Sequence, residues 1–337
     1  MNDEKLKTIK KNIIAIGRLL WEKDLASGLN GNISARVDET SILLTATKTC
    51  LGLLQEKDIL HVDLQGKVLE EGAVSTEKLL HTGIYRQFEE TRAVIHTHTV
   101  FTNAYFLENT SFQPRNFESR IWFGTLKALE QHTPCVTDVQ PVLAALKENN
   151  IAVLRQHGAI AMGRDLFDCF LLIQCLEDAV KVDAISKLYR GENSADRPEK
   201  TGRPAASEDS GAKAFELFSP QQMKAIVALV NDDARLKELG EKTKMTMDLA
   251  VQLNETGQVY SFRFENGRIT RLGHDAQAEF LISAPASVWR DVFNRRIDPF
   301  VATTQKKMLL RGDFAKISQW YEPCCRIFEL WQQVPIA

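Results

Sequence analysis

Three histidines and one glutamate carry the chemistry most readily read from this chain. His96 and His98 flank Thr97 in AVIHTHTVF, residues 93 to 101. On a strand, side chains two residues apart point to one face, so both imidazoles can reach a single ion about 2.0 to 2.1 Å away without bending the backbone. Alone the pair is weak evidence, because two ordinary edge-strand histidines give the same spacing. His157 precedes Gly158 at the tip of the apolar pair VLRQHGAIAMG, residues 153 to 163. A catalytic ion wants a third nitrogen and close backbone approach at such a place, although an isolated His-Gly turn is common. Glu77 follows Ser75-Thr76 early in a helical pattern, a place that the helix dipole by itself favours for glutamate. Gly31-Asn32-Ile33-Ser34 reads either as a loop entering a strand or as part of a site.

The elements that must position these residues are visible as periodicity. Leu6, Ile9, Ile13, Ile16 and Leu20 form one stripe of an opening helix that Gly28 and Gly31 break off. Residues 33–37 and 41–45 read as a hairpin, and 58–63 as a third strand. Ser75 offers a cap for a helix running through Tyr85. Residues 92–98 read as a strand entering another helix, 151–155 and 159–163 as strands, and Leu166 through Leu188 as a long amphipathic helix. Strands and helices alternate, so residues 1–190 form an α/β domain. Residues 191–213 are rich in Gly, Pro, Ser and charge and nearly empty of large apolar side chains, which reads as a flexible linker. Residues 214–337 read as a second, α+β domain. It opens with a helix at Ser219-Pro220 and continues with alternating strands from Met245 to Leu253 and through Tyr260, Phe262 and Phe264. An Asn266-Gly267 turn, strands at 278–283 and 306–312 and a last helix from Phe314 to Trp331 follow.

A chain of 337 residues suits two domains. With 42 Lys plus Arg against 44 Asp plus Glu, no overall field draws it to nucleic acid or to an acidic membrane. The charged segment MNDEKLKTIKKN does not read as a signal peptide, and nowhere do 18 uninterrupted apolar residues occur, so the expectation is a soluble, cytoplasmic protein with no membrane span. The 6 cysteines lack CxxC spacing and read as reduced packing residues.

In order, GNISAR at 31–36, STEKLLHTGIY at 75–85, AVIHTHTVF at 93–101 and VLRQHGAIAMG at 153–163 resemble the class II aldolase and adducin head family over about residues 5–190. The resemblance implies a three-layer α/β/α fold and a metal held by His96, His98 and His157, zinc or else manganese, iron or cobalt. It also implies Glu77 as the proton-transfer residue, an anion site using Asn32, Ser75, Thr76 and the loop at Thr47-Lys48, and a homotetramer. Three neutral imidazoles leave the ion's charge intact and a position open, so a substrate oxygen can be polarised and the charge of an enolate stabilised. The implied activity is that of a lyase on a small, anionic, phosphorylated or carboxylated hydroxy-carbonyl compound, by retro-aldol cleavage or decarboxylation. Epimerisation or dehydration of a sugar phosphate is the alternative on the same site. Adducin-like heads keep the fold as interaction modules and are expected to lack the metal histidines, so retention of all three points to an enzyme.

Two departures qualify the resemblance. Lys48 stands where the family's loop has glycine, which exchanges a flexible backbone position for a cation. The tyrosine acid of some aldolases has no counterpart between Tyr105 and Tyr189, where Phe112, Arg115, Asn116, Phe117 and Arg120 stand instead. His81 shares the helix face of Glu77 and reads as a packing or supporting residue; His61, His132 and His274 have no ligand-like setting.

The second domain resembles the sterol carrier protein 2 family, chiefly in AEFLISAPASVWRDVF, Asp298-Pro299 and the segment from Lys306 to Trp331. That resemblance implies an apolar or lipid ligand in a tunnel. Phe280, Trp289, Phe293, Phe300, Trp320, Phe328 and Trp331 could line one, while aromatic side chains at this density equally well build a core.

Overall fold

A computed structural model describes residues 3–131, 133, 135–190, 214–313, 316–317 and 319–337. They form two compact units, one on either side of residues 191–213. The linker expected at 191–213, like His132, lies outside the described residues.

The first unit runs α1 (Asp3–Glu22), β1 (Asn32–Arg36), β2 (Ser41–Thr45), β3 (Ile59–Asp63), α2 (Lys78–Gln87), β4 (Ala93–Thr97), α3 (Val100–Glu108), β5 (Ser111–Phe112), α4 (Phe117–Phe123), β6 (Leu126–Leu129), α5 (Gln140–Glu148), β7 (Ile151–Leu154), β8 (Gly158–Gly163) and α6 (Leu166–Arg190). The sheet order is β3-β2-β1-β4-β8-β7-β6-β5, and only β6 and β7 pair in parallel. The central strands are buried on both faces, and strand alternation divides their side chains between two cores. Leu43, Ile95, Val153 and Ala161 pack with α1, α3, α4 and α6 through residues such as Ile13, Phe106, Phe123 and Phe170. Ile42, Val94, Ala152 and Ile160 pack on the opposite side with α2 and α5 through Leu80, Ile84, Val142 and Leu146. This is the three-layer α/β/α architecture.

The start of α2 differs from expectation. The helix begins at Lys78 rather than near Ser75, with Glu77 just before it. The Ser75 carbonyl accepts the Lys78 amide at 3.1 Å and its hydroxyl accepts the Glu77 amide at 3.2 Å, so Ser75 closes a tight turn instead of capping the helix. Glu77 is thereby free of helical geometry and turns inward.

The second unit runs α7 (Pro220–Asp232), α8 (Ala234–Lys242), β9 (Thr246–Leu253), β10 (Val259–Glu265), β11 (Arg268–Gly273), β12 (Phe280–Ala284), α9 (Ala286–Phe293), α10 (Pro299–Thr304), β13 (Leu309–Arg311) and α11 (Tyr321–Trp331). Ser219 caps α7 through the Gln222 amide as its position predicts. Asn266 and Gly267 both take positive φ, which a two-residue hairpin turn requires. The last helix starts at Tyr321, later than the Phe314 expected; residues 314, 315 and 318 lie outside the described set. The sheet, ordered β11-β10-β9-β12-β13, turns one face to the helices. All seven aromatic residues considered for a tunnel pack into this core, six of them buried and Phe300 against its edge. Their rings lie on one another, Phe328 against Trp331 at 5.4 Å and Phe300 against Phe328 at 5.9 Å. No described helix of either unit is long and apolar enough to cross a membrane.

Helix α2 is tied to the first sheet by a buried polar line as well as by apolar contacts. His81 is completely buried between Asn32 and Ser34 of β1, and its ring is driven from an ordinary value near 6.5 down to about 3 by burial. The unfolded chain therefore takes up a proton near pH 6.5 while the folded chain refuses it until about pH 3. The contribution of a neutral His81 is complete above pH 6.5 and is lost as pH falls toward 3. His81→Gln, which cannot protonate, is expected to narrow its stability gap to wild type by about 2–3 kcal/mol between pH 7 and pH 4.5. Urea unfolding in chelator at the two pH values measures it; a constant gap would show that His81 does not drive the acid sensitivity.

Candidate metal centre and active site

Strand β4 brings the candidate ligands together because it is paired on both edges. His96 lies opposite Asn32 of β1 and opposite Ile160 of β8. The β7–β8 turn, with Gln156 at φ +60°, delivers His157 back to the end of β4, where His98 follows directly after Thr97. Nε2 of His96 lies 2.9 Å from Nε2 of His98 and 3.0 Å from Nε2 of His157, and the ligand atoms of all three lie within 4.8 Å of one another. Gly158 makes this possible. A Cβ on it would overlap the Thr97 carbonyl oxygen and stand 3.0 Å and 3.1 Å from the His98 and His96 rings.

The tautomers suit a cation. A carbonyl only accepts, so Nδ1 of His96 donates to Ala159 at 3.0 Å and its Nε2 is left with a lone pair aimed at the common point. His157 is steadied in the same way by the backbone of Thr133. Burial holds His96 well below the usual histidine range, with the neighbouring His98 and His157 adding to it. Burial and then His157 bring His98 down to about 4, and burial lowers His157. Neutral nitrogens converging at 2.9–3.0 Å are a donor set for a divalent ion with tetrahedral preference.

Glu77 stands beside this set. Its Oε1 is 3.5 Å from Nε2 of His157, and its carboxylate accepts the Val136 amide at 3.1 and 3.3 Å. Burial raises its pKa against the opposing pull of that amide. Val136 thus supports the glutamate and Thr133 supports His157. Nothing in their sequence signals those roles.

The segments expected to bind an anion meet at a residue not singled out from sequence. Thr45 is fully buried at the end of β2; its Oγ1 accepts the Ile33 amide at 3.1 Å and its carbonyl accepts the Ser75 amide at 3.1 Å. These bonds, with Thr47 N–H to Ala73 at 2.9 Å, draw together the Gly-Asn motif, the Ser75-Thr76 turn and the 45–49 loop. Asn32 and Ser75 are buried, Thr47 is half-buried, and Lys48 and Thr76 are exposed. Lys48 takes φ +59°, so the loop keeps a glycine-type backbone at a cost of roughly 1–2 kcal/mol for a side-chain-bearing residue. A threonine closing an apolar strand that pairs with a Gly-Asn motif is the clue that could have found Thr45.

Other residues support from further out. Glu177 of α6 is almost completely buried and accepts three hydrogen bonds, from the Phe101 and Thr102 amides and the Thr102 hydroxyl, at 2.8–2.9 Å. It satisfies orphan donors at the start of α3 and so anchors the helix that follows His98. Asn103 of that helix donates to the His157 carbonyl at 3.2 Å. Tyr105 is committed elsewhere, its hydroxyl donating to Ser111 at 3.2 Å, and Arg120 donates to the Pro114 and Arg115 carbonyls. His274 bonds Val259, away from the triad in sequence and in the second unit; His61 is buried in β3. Gly158→Ala is expected to lower zinc affinity about 10–100-fold by displacing both rings. Competition against a chromogenic chelator measures this, and wild-type affinity would refute the need for glycine.

Comparison with known proteins gives separate matches in the two units. Residues 11–184 match the family model described as class II aldolase and adducin N-terminal domain, and residues 223–322 that of the SCP-2 sterol transfer family. An L-fuculose phosphate aldolase of Methanocaldococcus jannaschii is 29% identical over 192 residues, 54% of this chain and 98% of the relative. A 3-oxo-tetronate 4-phosphate decarboxylase of Haemophilus influenzae is 25% identical over 179 residues, 51% of this chain and 85% of the relative. The crystal structure of an L-fuculose-1-phosphate aldolase from Thermus thermophilus superposes with a TM-score of 0.51 at 26% identity, covering 56% of this chain and all of that one. With its three-layer fold and matched residues 11–184, the chain belongs to the class II aldolase and adducin family, as a lyase carrying an additional SCP-2 domain.

Proposed function

We propose that the first unit is a divalent-metal lyase, with zinc as its ion, acting on a small phosphorylated hydroxy-carbonyl compound by retro-aldol cleavage or decarboxylation. The observation that carries this reading is the convergence of three neutral imidazoles with a buried carboxyl group 3.5 Å from one of them. His96, His98 and His157 would hold the ion. Bound there, it supplies a Lewis acid that polarises a carbonyl or hydroxyl oxygen and stabilises the negative charge that builds on it.

The remaining chemistry falls to the chain. Glu77 takes up and returns the proton, and the burial that raises its pKa brings it nearer to a working acid and base. The Val136 amide holds the carboxylate in place beside His157. Asn32, the Ser75-Thr76 turn and the loop at Thr47-Lys48 bind the anionic group, an assignment supported by their junction at Thr45 and by relatives named for sugar phosphates. Tyr105 being engaged with Ser111 favours decarboxylation or another bond choice that does not need a tyrosine acid over plain aldol cleavage.

Chelation is expected to abolish turnover, with recovery on adding zinc, manganese, iron or cobalt. Glu77→Gln should lower kcat about 10²–10⁴-fold while leaving bound metal unchanged. A panel of phosphorylated and carboxylated hydroxy-ketones assayed for cleavage and CO2 release reads both. A protein without stoichiometric metal after gentle purification, or a fully active Glu77→Gln, would sink the proposal.

For the second unit we infer an apolar ligand, supported by the SCP-2 family match. Two donors buried in its core, Nε2 of Gln222 and Nε1 of Trp331, have no partner among the described residues, as the polar end of such a ligand would require. Native mass spectrometry should show a co-purified lipid; its absence, with no uptake of a fluorescent fatty acid, would count against the inference.

A further inference from the structure

Four buried polar side chains run in a line between β1 and α2. Oδ1 of Asn32 lies 2.5 Å from Nε2 of His81, Nδ1 of His81 lies 2.6 Å from Oγ of Ser34, and that oxygen lies 3.0 Å from the Tyr85 hydroxyl. The most exposed of them is Asn32, at 7%.

Counting protons along the line gives it a direction. A carboxamide oxygen only accepts, so Nε2 of His81 must carry hydrogen. The ring is completely buried and its hydrogen-bond partners, Asn32 and Ser34, are not acidic, so it is neutral and its Nδ1 is an acceptor. The Ser34 hydroxyl therefore donates to Nδ1 and accepts from Tyr85. Each group is committed in one sense, and the line ends with the Asn32 oxygen tied to the protein while its amino group makes no hydrogen bond among the described residues. Asn32 is the strand partner of His96, and directly opposed residues share a face of the sheet. The unpaired amide donors thus stand beside the histidine cluster.

We infer that His81 is a positioning residue, which locks the Asn32 carboxamide with its N–H donors toward the anionic group of the substrate. The inference rests on the proposed role of Asn32 in anion binding and adds to it a cause for the orientation. A free asparagine amide can turn over and present its oxygen, which would repel an anion. A fully satisfied line of neutral groups removes that choice without placing a second charge in the core.

The test uses the full chain and inorganic phosphate as the probe, with affinity read by 31P NMR titration. Asn32→Ala should weaken phosphate binding about ten- to a hundredfold, the loss of one hydrogen bond to a charged group. His81→Leu should match it to within about twofold, and His81→Gln, whose amide can still donate to Asn32, should recover most of the loss. In the Asn32→Ala background, His81→Leu should add nothing, because the two residues act as a unit. Asn32→Asp, which offers acceptors only, should bind more weakly than Asn32→Ala. Wild-type phosphate affinity in His81→Leu with a weakened Asn32→Ala would overturn the positioning role alone, and so would losses that add in the double variant. Unchanged affinity in Asn32→Ala would overturn the anion role of Asn32 and the inference with it. Thermal melting of each variant distinguishes these results from a failure to fold, and the Asn32→Asp result bears on donor direction even if His81→Leu is unstable.

Discussion

Everything in the first unit that can do chemistry hangs on the double pairing of β4. Its backbone is bonded to β1 on one edge and β8 on the other, so Asn32, His96 and the turn carrying His157 are located by ladder hydrogen bonds rather than by loops. The approach is close enough that a single methyl group at Gly158 would break it. Sites on paired strands are held to a fraction of an ångström, which metal coordination demands. The same pairing desolvates the imidazoles and keeps them neutral, in the protonation state that a cation needs.

The layers on either side have unequal tasks. On the face shared by Ile42, Val94 and Ile160, Glu77 stands just before α2 and His81 within its first turns, the residues proposed above for proton transfer and for orienting Asn32. On the opposite face, α6 contributes Glu177, whose buried carboxylate receives the first amides of α3. Neither helix could be displaced without disturbing a buried polar group, and breaking one partner of such a group costs more than the bond itself contributes.

Much of this was legible in the sequence, and what was not has a physical reason. Strand alternation and the 3.6-residue stripe revealed β1, β2, β4, β7, β8, α1 and α6, because burial on one or two faces leaves a periodic trace. His96, His98, His157 and Glu77 were readable in three of the four ordered motifs and do converge. Val136 and Glu177 left no trace, since each acts through a bond between a carboxylate and a backbone amide of a distant segment, and Thr45 left only its place at the end of a strand paired with the Gly-Asn motif. Residues 99–150 hid α4, α5, β5 and β6, elements of two to nine residues that are too short for periodicity to stand out. The start of α2 was misplaced because Ser75 satisfies a turn with the same hydroxyl that would have capped a helix.

The two departures from the family pattern fall on one side of a structural divide. The histidines, the glutamate and Asn32 lie on paired strands, directly beside their ends or at a helix mouth, and the task proposed for them, stabilising charge on an oxygen, is common to cleavage, decarboxylation and dehydration. Lys48 and the region that lacks a tyrosine lie on loops and at short elements, where side chains can change without moving the ladder. Lys48 takes the left-handed backbone that glycine favours, and its side chain adds a cation. On the proposed function, the scaffold constrains where negative charge can build, and the loops decide which bond breaks to produce it. On that proposal, the separation suits a family whose members are named as aldolase and decarboxylase alike.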